Sequence, residues 1–564
     1  MSKQALTVGG YLAARLVDNG VRHYFTVPGD YNLVLLDEFL KNDGWQMVSC
    51  CNELNAGYAA DGYSRATGGL SAAVVTYSVG GLSLINAVAG AYAEDLPMVA
   101  ISGGPNSNSN AEAEYLHHSL GHLDYTYVRE MFSRVTAEST IVHSPRSAPA
   151  QIDAAIATAL KTRKPVYLEI ACNISGLAVS SANPRSFQIG RSSDPTSLAA
   201  AVEAAAELLN GAASPVLVAG CKMRSYSAEQ AFRDLADTAG YGVAVMPTAK
   251  TFFDEEHPSY LGVYWGSTGS RRANDVVEAS DMVLYAGGVF TDYSTTGHST
   301  VVDPARTIRV HPESVCLPGE TFGGVVMRDF LEALAKKLNR NDASLRASQQ
   351  IAEEQPKAAP TTAGAALTTQ QLFRRIQDLV GSDTTVIAET GDSWFNGMQL
   401  AMPGGSRFEI QMQYGSIGWS VGATLGYAMA APDRRVIACI GDGSFQLTAQ
   451  EVSTMIRYGA KPIIFLMNNG GYTIEVEIHD GPYNVINNWK YAELMNVLNG
   501  ENGNGRGFRV TTAEELDAAI AEASSHDGPC LIESVIDRDD CNPGLLDWGA
   551  RVAKNNGRPP RTVN

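Results

Sequence analysis

The chain has 564 residues, of which 45% are hydrophobic and 18% charged, and its formal net charge is −18 at pH 7. This composition is typical of a globular protein with room for three or four domains. The negative charge, with no basic patch along the chain, disfavours nucleic acid and membrane surfaces as partners, because both are anionic.

No targeting or membrane-spanning segment is predicted. The first residues, MSKQALTVGGYLAARLV, have no basic stretch leading into an apolar core, so we expect no secretory signal. Residues 66–93 are the longest uncharged run, but their Gly, Ser, Thr, Tyr and Asn content favours a buried strand, a glycine turn and a helix over a membrane span. The eight cysteines show no CxxC spacing, which favours reduced thiols and a cytoplasmic location.

Buried strands alternate with helices along the whole chain. Short β-branched runs separated by Ala-rich stretches predict mostly parallel sheets covered by helices on both faces. The fold class is therefore α/β, with doubly wound domains. In chain order the runs are AAVVTY, PMVAIS, PVYLEI, PVLVAG, MVLYAG, TVIAET, RVIACI, PIIFLM and CLIESV.

Two polar stretches divide the chain into domains. Residues 175–197 and 346–369 are rich in Pro, Ser, Ala and Thr, as linkers are. They predict three domains, at residues 1–185, 190–345 and 360–564. The first and third are candidates for related α/β units, although no short tandem repeat connects them.

Residues 435–471 predict a metal site at one edge of the third sheet. RVIACI and PIIFLM are predicted strands, and residues 446–459 are a predicted helix of about 14 residues. The helix and the second strand are nearly equal in length and run in opposite directions. Asp442 and Asn469 then return to the same carboxyl edge, where such folds bind ligands. With the backbone carbonyl of Gly471 they offer three hard oxygen ligands, which suit Mg²⁺ holding a diphosphate. A GDG tripeptide on its own is equally a plain turn.

The segment GDGSFQLTAQE…NNGGYTIE resembles the cofactor signature of thiamine diphosphate enzymes. Further motifs along essentially the whole chain are similar to the 2-oxo acid decarboxylases of that family, in their bacterial form. The resemblance implies a thiamine diphosphate-binding fold, Mg²⁺ as the second cofactor, and non-oxidative decarboxylation of pyruvate to acetaldehyde and CO₂. These motifs are PGDYNLVLLDEFL, CCNELNAGYAADGYSRA, YLHHSLG, DYSTTG, ETGDSWF and GSIGWS.

The resemblance also assigns contacts to the organic cofactor. Glu53 is implied as the carboxyl that hydrogen-bonds the aminopyrimidine ring, although it could be a helix-start carboxylate. Gly415 would offer a backbone carbonyl to the pyrimidine amino group, and Ile417 would be the wedge that bends the cofactor, or else an ordinary core residue. The further implied contacts are Thr390, Gly391, Asp392, Gly443, Ser444, Asn469 and Tyr472.

Asp30, His117 and His118 resemble the acid/base cluster of the family. Histidine suits proton relay because its charge changes near neutral pH, although either histidine alone is more often a surface residue. Adjacent imidazoles lack the i, i+4 spacing of a helical zinc pair, so no metal is expected there. Glu475 is implied beside the departing carboxylate of the substrate, where repulsion between two anions favours a partly protonated carboxyl.

The resemblance places four bulky side chains around the acyl group of the substrate. Such a pocket leaves room for pyruvate and 2-oxobutanoate and rejects indole or branched side chains by overlap, unless all four are core residues. The four are Tyr293, Trp394, Ile474 and Ile478.

Three positions depart mildly from the relatives. Ser416, Gly470 and Glu477 remove no chemical group that the reaction needs. If the segment around Glu475 is helical, Glu477 is expected to face solvent, because positions i and i+2 diverge.

Several other functions compete with this interpretation. A decarboxylase of phenylpyruvate or indolepyruvate is disfavoured by Trp394, and a carboligase by the histidine pair. A non-catalytic scaffold gives no reason for the acidic and histidine groups to occur together, and a nicotinamide oxidoreductase would need GxGxxG after a first strand. The resemblance also implies a cofactor site shared between subunits, so we expect a homodimer at least and a homotetramer built as a dimer of dimers.

Overall fold

The computed structural model describes residues 6–179, 187, 189–300, 303–352 and 363–559. In this part of the chain there are three sheets, of six, seven and six strands, with helices between the strands. The α/β fold class is confirmed, and each apolar run named above supplies the greater part of a strand.

The first sheet is parallel throughout. Its strands are β1 (His23–Thr26), β2 (Gln46–Ser49), β3 (Ser71–Val75), β4 (Met98–Gly104), β5 (Glu138–Val142) and β6 (Val166–Ala171). They lie in the order β2-β1-β3-β4-β6-β5. The helices are α1 (Val8–Asp18), α2 (Leu33–Phe39), α3 (Glu53–Thr67), α4 (Val79–Ala93), α5 (Tyr127–Phe132) and α6 (Ala148–Thr162). The uncharged run at 66–93 thus contains β3, a turn and α4, as predicted.

The second sheet is parallel except for a hairpin at one edge. Its strands are β7 (Pro215–Ala219), β8 (Gly242–Val245), β9 (Tyr260–Val263), β10 (Met282–Ala286), β11 (Thr307–His311), β12 (Ser314–Leu317) and β13 (Glu320–Gly323). They lie in the order β13-β12-β11-β10-β7-β8-β9. The helices are α7 (Pro195–Gly211), α8 (Lys222–Ser225), α9 (Glu229–Ala239), α10 (Arg271–Ala279), α11 (Met327–Ala335) and α12 (Ala343–Ser348).

The third sheet is again wholly parallel. Its strands are β14 (Thr384–Ala388), β15 (Arg407–Glu409), β16 (Arg435–Gly441), β17 (Ile463–Asn468), β18 (Arg506–Val510) and β19 (Cys530–Val535). They lie in the order β15-β14-β16-β17-β19-β18. The helices are α13 (Thr369–Leu379), α14 (Asp392–Met398), α15 (Trp419–Ala430), α16 (Asp442–Thr448), α17 (Glu451–Tyr458), α18 (Thr473–Ile478), α19 (Tyr491–Leu498), α20 (Ala513–Ser525) and α21 (Pro543–Asn556).

The first and third sheets have the same topology. When the strands of each are numbered from one, both follow the order 2-1-3-4-6-5. The strand order reverses beside the first strand of each sheet, and this switch point opens a crevice at the carboxyl edge. The two units are therefore related in architecture, as the sequence suggested.

Both faces of the sheets are covered, which explains why the strands read as continuous apolar runs. In β16, Val436 and Ala438 pack into one core cluster while Ile437 and Cys439 pack into another on the opposite face. Alternate residues of a strand point to opposite faces. In a strand that is buried on both faces, nearly every position is therefore apolar.

The single helix predicted over residues 446–459 is wrong. The chain forms two helices instead, α16 starting at Asp442 and α17 ending at Tyr458, with a tight turn between them. The turn is made by hydrogen bonds from Val452 to Ala449 and from Ser453 to Gln450, each spanning three residues. At the end of α16 the Thr448 hydroxyl donates to the Gly418 carbonyl at 2.7 Å, a tertiary contact that local sequence does not reveal.

The first and third units meet through two closely packed helices, α3 and α15. A Cβ added to Gly426 would lie 1.7 Å from the backbone oxygen of Ala59, and one at Gly62 would lie 2.1 Å from that of Ala423. The two backbones are therefore in direct contact, and glycine is required where they cross.

The predicted linkers fall partly outside the described residues, since 180–186, 188 and 353–362 are not among them. The described part of the first linker ends at α7, whose N-cap is Asp194. The predicted domain limits stay predictions; the strands of the three sheets lie within residues 23–171, 215–323 and 384–535. Within the described ranges, every helix is too short or too polar to span a bilayer.

Candidate active site

Asp442 joins the ends of two neighbouring strands at the carboxyl edge of the third sheet. Its buried carboxylate accepts the Gly443 N–H on Oδ1 at 2.7 Å and the Gly470 N–H on Oδ2 at 2.6 Å. Gly470 has a φ of +80°, a left-handed conformation that glycine adopts readily. Burial raises the pKa of Asp442 to about 6, against the opposing effect of these backbone donors. The structure thus brings Asp442 to the loop that holds Asn469, as expected from the strand geometry.

Asn469 presents an oxygen that no described group satisfies. Its Oδ1 is buried and has no hydrogen-bond partner, while its Nδ2 donates to Thr473 Oγ1 at 2.6 Å. A buried carbonyl oxygen without a donor is costly, and a cation removes that cost. The Asp442 carboxylate accepts the N–H of the next residue, Gly470, and Gly471 lines the same cavity. A carboxylate, an amide oxygen and a backbone carbonyl are ligand types that fit a divalent cation.

A cavity of about 500 Å³ opens beside this oxygen cluster. It lies at the carboxyl edge of the third sheet, where the loops after β14, β16 and β17 and the segment before α15 converge. Many of the residues predicted to bind cofactor or substrate line it together. These are Thr390, Gly391, Asp392, Ile417, Gly443, Ser444, Asn469, Gly471, Tyr472, Ile474 and Glu475.

Glycines shape the cavity wall. At Gly391, whose φ is +130°, and at Gly441 an added Cβ would meet nothing within 4 Å, so both face open space. At Gly443 an added Cβ would lie 2.5 Å from the Tyr472 ring. Tyr472 therefore packs directly on the backbone after Asp442, and no larger residue fits there without displacing this ring.

Asp392 ties the cavity to the carboxyl-terminal part of the chain. Its Oδ1 accepts the backbone N–H of Asn542 at 2.9 Å, and its Oδ2 accepts Asn396 Nδ2 at 2.6 Å. Burial raises the pKa of Asp392 to about 6. Asp392 lines the cavity, and these hydrogen bonds hold its carboxyl group in place in the cavity wall.

Sequence reasoning missed Glu389, which is wholly buried at the end of β14. Its carboxylate accepts hydrogen bonds from the N–H groups of Thr390, Gly418 and Ser420 and from the Ser420 hydroxyl. Burial raises the pKa of this carboxyl, and its donors oppose that rise. The available signal was the glutamate that directly precedes TGD at a strand end, but its partners lie about thirty residues further on.

Asp30, His117 and His118 form a separate cluster. His117 Nε2 lies 2.6 Å from Asp30 Oδ2, and His118 Nε2 lies 3.7 Å from Asp30 Oδ1. The two histidines lie on a turn, and His118 has a φ of +61°. The Tyr31 ring stacks on His117 with centroids 5.0 Å apart, a support that the sequence reasoning did not identify. One carboxylate oxygen of Asp30 and one ring nitrogen of each histidine all lie within 4.8 Å of one another.

These acid/base residues do not reach the cavity in one chain. His117 is 60% exposed and Asp30 52% exposed, and neither they nor His118 line the cavity. Glu53, the first residue of α3, is also absent from its lining and lies beside Gly80, where an added Cβ would be 3.3 Å from Glu53 Oε1. In a single chain, the predicted acid/base residues and Glu53 therefore lie apart from the residues that line the cavity.

Of the predicted acyl-pocket residues one lines the cavity, one is a core residue and two are partly buried against that core. Ile474 lines the cavity. Trp394 is wholly buried, and its ring meets that of Tyr293 edge-on at 6.2 Å, while Ile478 packs against the same core cluster. Burial, and then the charge of nearby Glu475, raise the pKa of Tyr293. Tyr293 thus lies close enough to Glu475 to sense its charge.

The cofactor-wedge motif and its departures have specific contacts. Gly415 is half-buried with a φ of +66° and lies outside the cavity lining, whereas Ile417 lines it. The Ser416 hydroxyl hydrogen-bonds that of Tyr58 on α3, which links the motif to the first unit.

The expectation that Glu477 faces solvent is wrong. This residue is half-buried because α21 lies against it, and an added Cβ at Gly549 would be 3.0 Å from Glu477 Cβ. Glu475, two residues earlier on α18, is exposed on the cavity side.

Sequence models of three domains match the chain. They are described as the N-terminal TPP binding domain, the central domain and the C-terminal TPP binding domain of thiamine pyrophosphate enzymes. The matches cover residues 6–127, 202–321 and 389–534. The third match contains both Asp442 and Asn469.

Curated proteins are similar over nearly the whole length. The chain is 49% identical over 560 residues to pyruvate decarboxylase 2 of Arabidopsis thaliana, which covers 98% of this chain and 92% of that protein. It is 48% identical to pyruvate decarboxylase 1 of Oryza sativa subsp. indica, and this match covers 99% of this chain and 93% of that protein. It is 49% identical to pyruvate decarboxylase 1 of Zea mays, and this match covers 98% of this chain and 92% of that protein. These relatives are plant proteins, so the bacterial form suggested by the motifs stays a prediction.

Proposed function

This chain belongs to the thiamine pyrophosphate enzyme family, and we propose that it catalyses the non-oxidative decarboxylation of pyruvate to acetaldehyde and CO₂. The observation that carries the proposal is the buried, unpartnered Oδ1 of Asn469, a residue that lines the 500 Å³ cavity and precedes Gly470, whose N–H the Asp442 carboxylate accepts. Such an oxygen pair suits Mg²⁺ holding a diphosphate. Asp442, Asn469 and Gly471 are the proposed metal ligands.

The proposed cofactor residues surround the same cavity. Thr390, Gly391 and Ile417 on one side and Gly443 and Tyr472 on the other would hold thiamine diphosphate. When bound, this cofactor supplies the electron sink that decarboxylation of a 2-oxo acid requires and that no protein side chain provides.

Glu475 and Ile474 are the proposed substrate contacts. Ile474 lines the cavity, and its side chain is proposed to favour the methyl group of pyruvate over larger acyl groups. Glu475 lines the cavity, and its carboxyl group is the proposed neighbour of the carboxylate of pyruvate.

Asp30, His117 and His118 are the proposed proton-transfer groups. The 2.6 Å contact between Asp30 Oδ2 and His117 Nε2 fixes the orientation of this imidazole. His118 Nε2 lies 3.7 Å from the other oxygen of the same carboxylate, an ion-pair distance that is longer than a hydrogen bond.

We infer that the cofactor site is shared between subunits. Glu53 and the Asp30 cluster are absent from the cavity lining in one chain, which supports a site that a second copy completes. A homodimer is therefore the smallest active form, and a homotetramer is the proposed assembly. All eight cysteines are free, which suits the proposed cytoplasmic location.

An activity assay with a substrate panel tests the function. The full chain is incubated with Mg²⁺, thiamine diphosphate and pyruvate, 2-oxobutanoate, phenylpyruvate or indolepyruvate, and aldehyde formation is coupled to NADH oxidation by alcohol dehydrogenase. Pyruvate should be turned over best. Absence of turnover with pyruvate refutes the proposal, and acetolactate as the main product would instead identify a carboligase.

A further inference from the structure

Glu389 connects two segments of the cavity wall that are distant in sequence. Its Oε1 accepts the Thr390 N–H at 2.9 Å, and its Oε2 accepts the Gly418 N–H at 3.0 Å. The same Oε2 accepts the Ser420 N–H at 3.1 Å and the Ser420 hydroxyl at 2.6 Å. One carboxylate thus binds the Thr390 turn and the segment that carries Ile417.

The carboxylate also caps a helix that cannot cap itself. Helix α15 begins after Gly418, a residue with no side chain to accept the free N–H groups of the first turn. Glu389, which directly follows β14, accepts the hydrogen bonds that an N-cap side chain would otherwise accept. A negative charge is also favoured at a helix N-terminus.

The segment before α15 needs such an anchor. Gly415 and Gly418 both have positive φ values, +66° and +84°, so the backbone around Ile417 turns sharply at glycines. Glycine has more conformational freedom to lose than any other residue, so a turn with two glycines is held in place only by the contacts that surround it. The position of Ile417 at the cavity therefore depends on what holds Gly418 and Ser420.

An amide cannot replace this carboxylate. Oε2 receives three donors and Oε1 receives one, and glutamine has one acceptor oxygen and an NH₂ group that would face N–H or O–H donors. A buried donor left without an acceptor costs roughly 1–3 kcal/mol.

We propose that Glu389 is a positioning residue that clamps the Thr390 turn to the segment around Ile417 and thereby sets the affinity for thiamine diphosphate. This inference rests on the proposed function, because it concerns the cofactor of that function. Glu389 acts through the two segments and is not itself among the residues that line the cavity.

Calorimetric titration of the apoprotein with thiamine diphosphate at saturating Mg²⁺ tests the proposal. Glu389→Gln should raise Kd about 10- to 100-fold, as the loss of one or two charge-assisted hydrogen bonds implies. Glu389→Asp, which keeps the charge on a shorter arm, should recover part of this loss. The rise in Tm that the cofactor produces should shrink in the same order.

Glu169→Gln is the matched control. Glu169 is a buried carboxyl of the first sheet that accepts the Tyr167 hydroxyl at 2.9 Å and contacts neither segment of the clamp. Its variant should bind the cofactor like the wild type. A Kd for Glu389→Gln within twofold of the wild type, or an equal loss in Glu169→Gln, overturns the proposal.

Two further outcomes are decisive. If Glu389→Gln fails to fold, Ser420→Ala decides, because it removes the 2.6 Å donor and leaves the backbone intact. This variant should weaken binding by about fivefold or more, and wild-type affinity would overturn the clamp. Wild-type protein that does not bind thiamine diphosphate would refute the proposed function itself, whereas normal binding by the wild type and by every clamp variant would refute this inference alone.

Discussion

The Asp442 carboxylate accepts the backbone N–H of Gly470 at 2.6 Å, and this contact joins the carboxyl ends of β16 and β17. The next residue back, Asn469, keeps its Oδ1 buried and unpartnered. The two strand ends therefore present a carboxylate and an amide oxygen in one loop region. The Asp442 carboxylate already accepts backbone hydrogen bonds, whereas Asn469 Oδ1 has no partner. A bound cation would supply the partner that this amide oxygen lacks.

Asp442→Asn should weaken retention of Mg²⁺ and thiamine diphosphate. Loss of a residue that only supports a metal ligand costs about 10- to 100-fold in metal affinity, and loss of a ligand charge should cost at least as much. Activity after chelation and gel filtration, restored by added Mg²⁺, measures the effect. Asp433→Asn, at an exposed position before β16, is the control and should behave as wild type. Unchanged Mg²⁺ dependence in Asp442→Asn would remove it from the metal site.

Asp30→Asn should reduce kcat without changing cofactor binding. The substitution keeps the size of the side chain but removes the charge that faces His117 at 2.6 Å, so proton transfer slows by about 10²- to 10³-fold. Steady-state kinetics and calorimetry with thiamine diphosphate separate the two effects. His122→Gln, exposed in the same segment, should leave both unaltered. A full-rate Asp30→Asn enzyme would contradict the proton-relay assignment.

Ile474→Ala should broaden the substrate range. Ile474 lines the cavity, so its truncation opens room for longer acyl chains, and one methylene is worth about 10-fold or more in selectivity. The ratio of kcat/KM for 2-oxopentanoate to that for pyruvate should rise by about tenfold. Val476→Ala, on the same helix but outside the cavity lining, should leave the ratio unchanged. Equal ratios in both variants would place the size filter elsewhere.

Glu169 should make stability depend on pH in a defined direction. Burial raises the pKa of this carboxyl from 4.5 to about 8. The folded protein then keeps a proton that the unfolded chain loses. Its stabilising contribution is therefore complete below about pH 4.5 and is lost as pH rises toward 8, by roughly 1.4 kcal/mol per pH unit at most.

Thermal unfolding of Glu169→Gln between pH 5 and pH 8 measures this contribution. Glutamine carries no titrating proton, so the variant should gain stability relative to the wild type as pH rises. Glu320→Gln, exposed on β13, should run parallel to the wild type over the same range. A wild-type and Glu169→Gln difference that is constant with pH would show that Glu169 titrates normally.

Gly426→Ala should strongly destabilise the fold. The added Cβ would lie 1.7 Å from the Ala59 backbone oxygen. To relieve this clash the two helix backbones would have to move apart, because no side-chain rotation can remove it. Overpacking of this kind costs about 1–3 kcal/mol or more, and Tm should fall by several degrees. Gly190→Ala, where the added Cβ meets nothing within 4 Å, should leave Tm unchanged. A normal Tm in Gly426→Ala would mean that α3 and α15 separate more easily than their contact suggests.

Much of the fold could be predicted because its strands are buried on both faces. Residues such as Ile437 and Ala438 point to opposite cores, so both must be apolar and the strand is visible as an uninterrupted run. The proximity of Asp442 and Asn469 was also predictable, because parallel strands all end at one edge and the intervening helix has a known rise.

Long-range contacts set the limits of that prediction. The break between α16 and α17 lies next to the Thr448 contact with Gly418, and Glu477 is covered by α21 from more than seventy residues away. Trp394 belongs to the core behind the cavity, since its neighbours include the ring of Tyr293 from the second unit. No local pattern encodes such neighbours.

The sequence by itself determined the α/β class, the three units and the oxygen-bearing residues at the strand ends, because periodicity and strand polarity act locally along the chain. Only the tertiary structure decided which groups share a site: it placed Glu389 against Gly418 and Ser420, and it left Asp30, Glu53 and His117 away from the cavity of their own chain. The physical reason is that a buried carboxylate takes its donors from whatever backbone folds against it, and sequence separation carries no information about that partner.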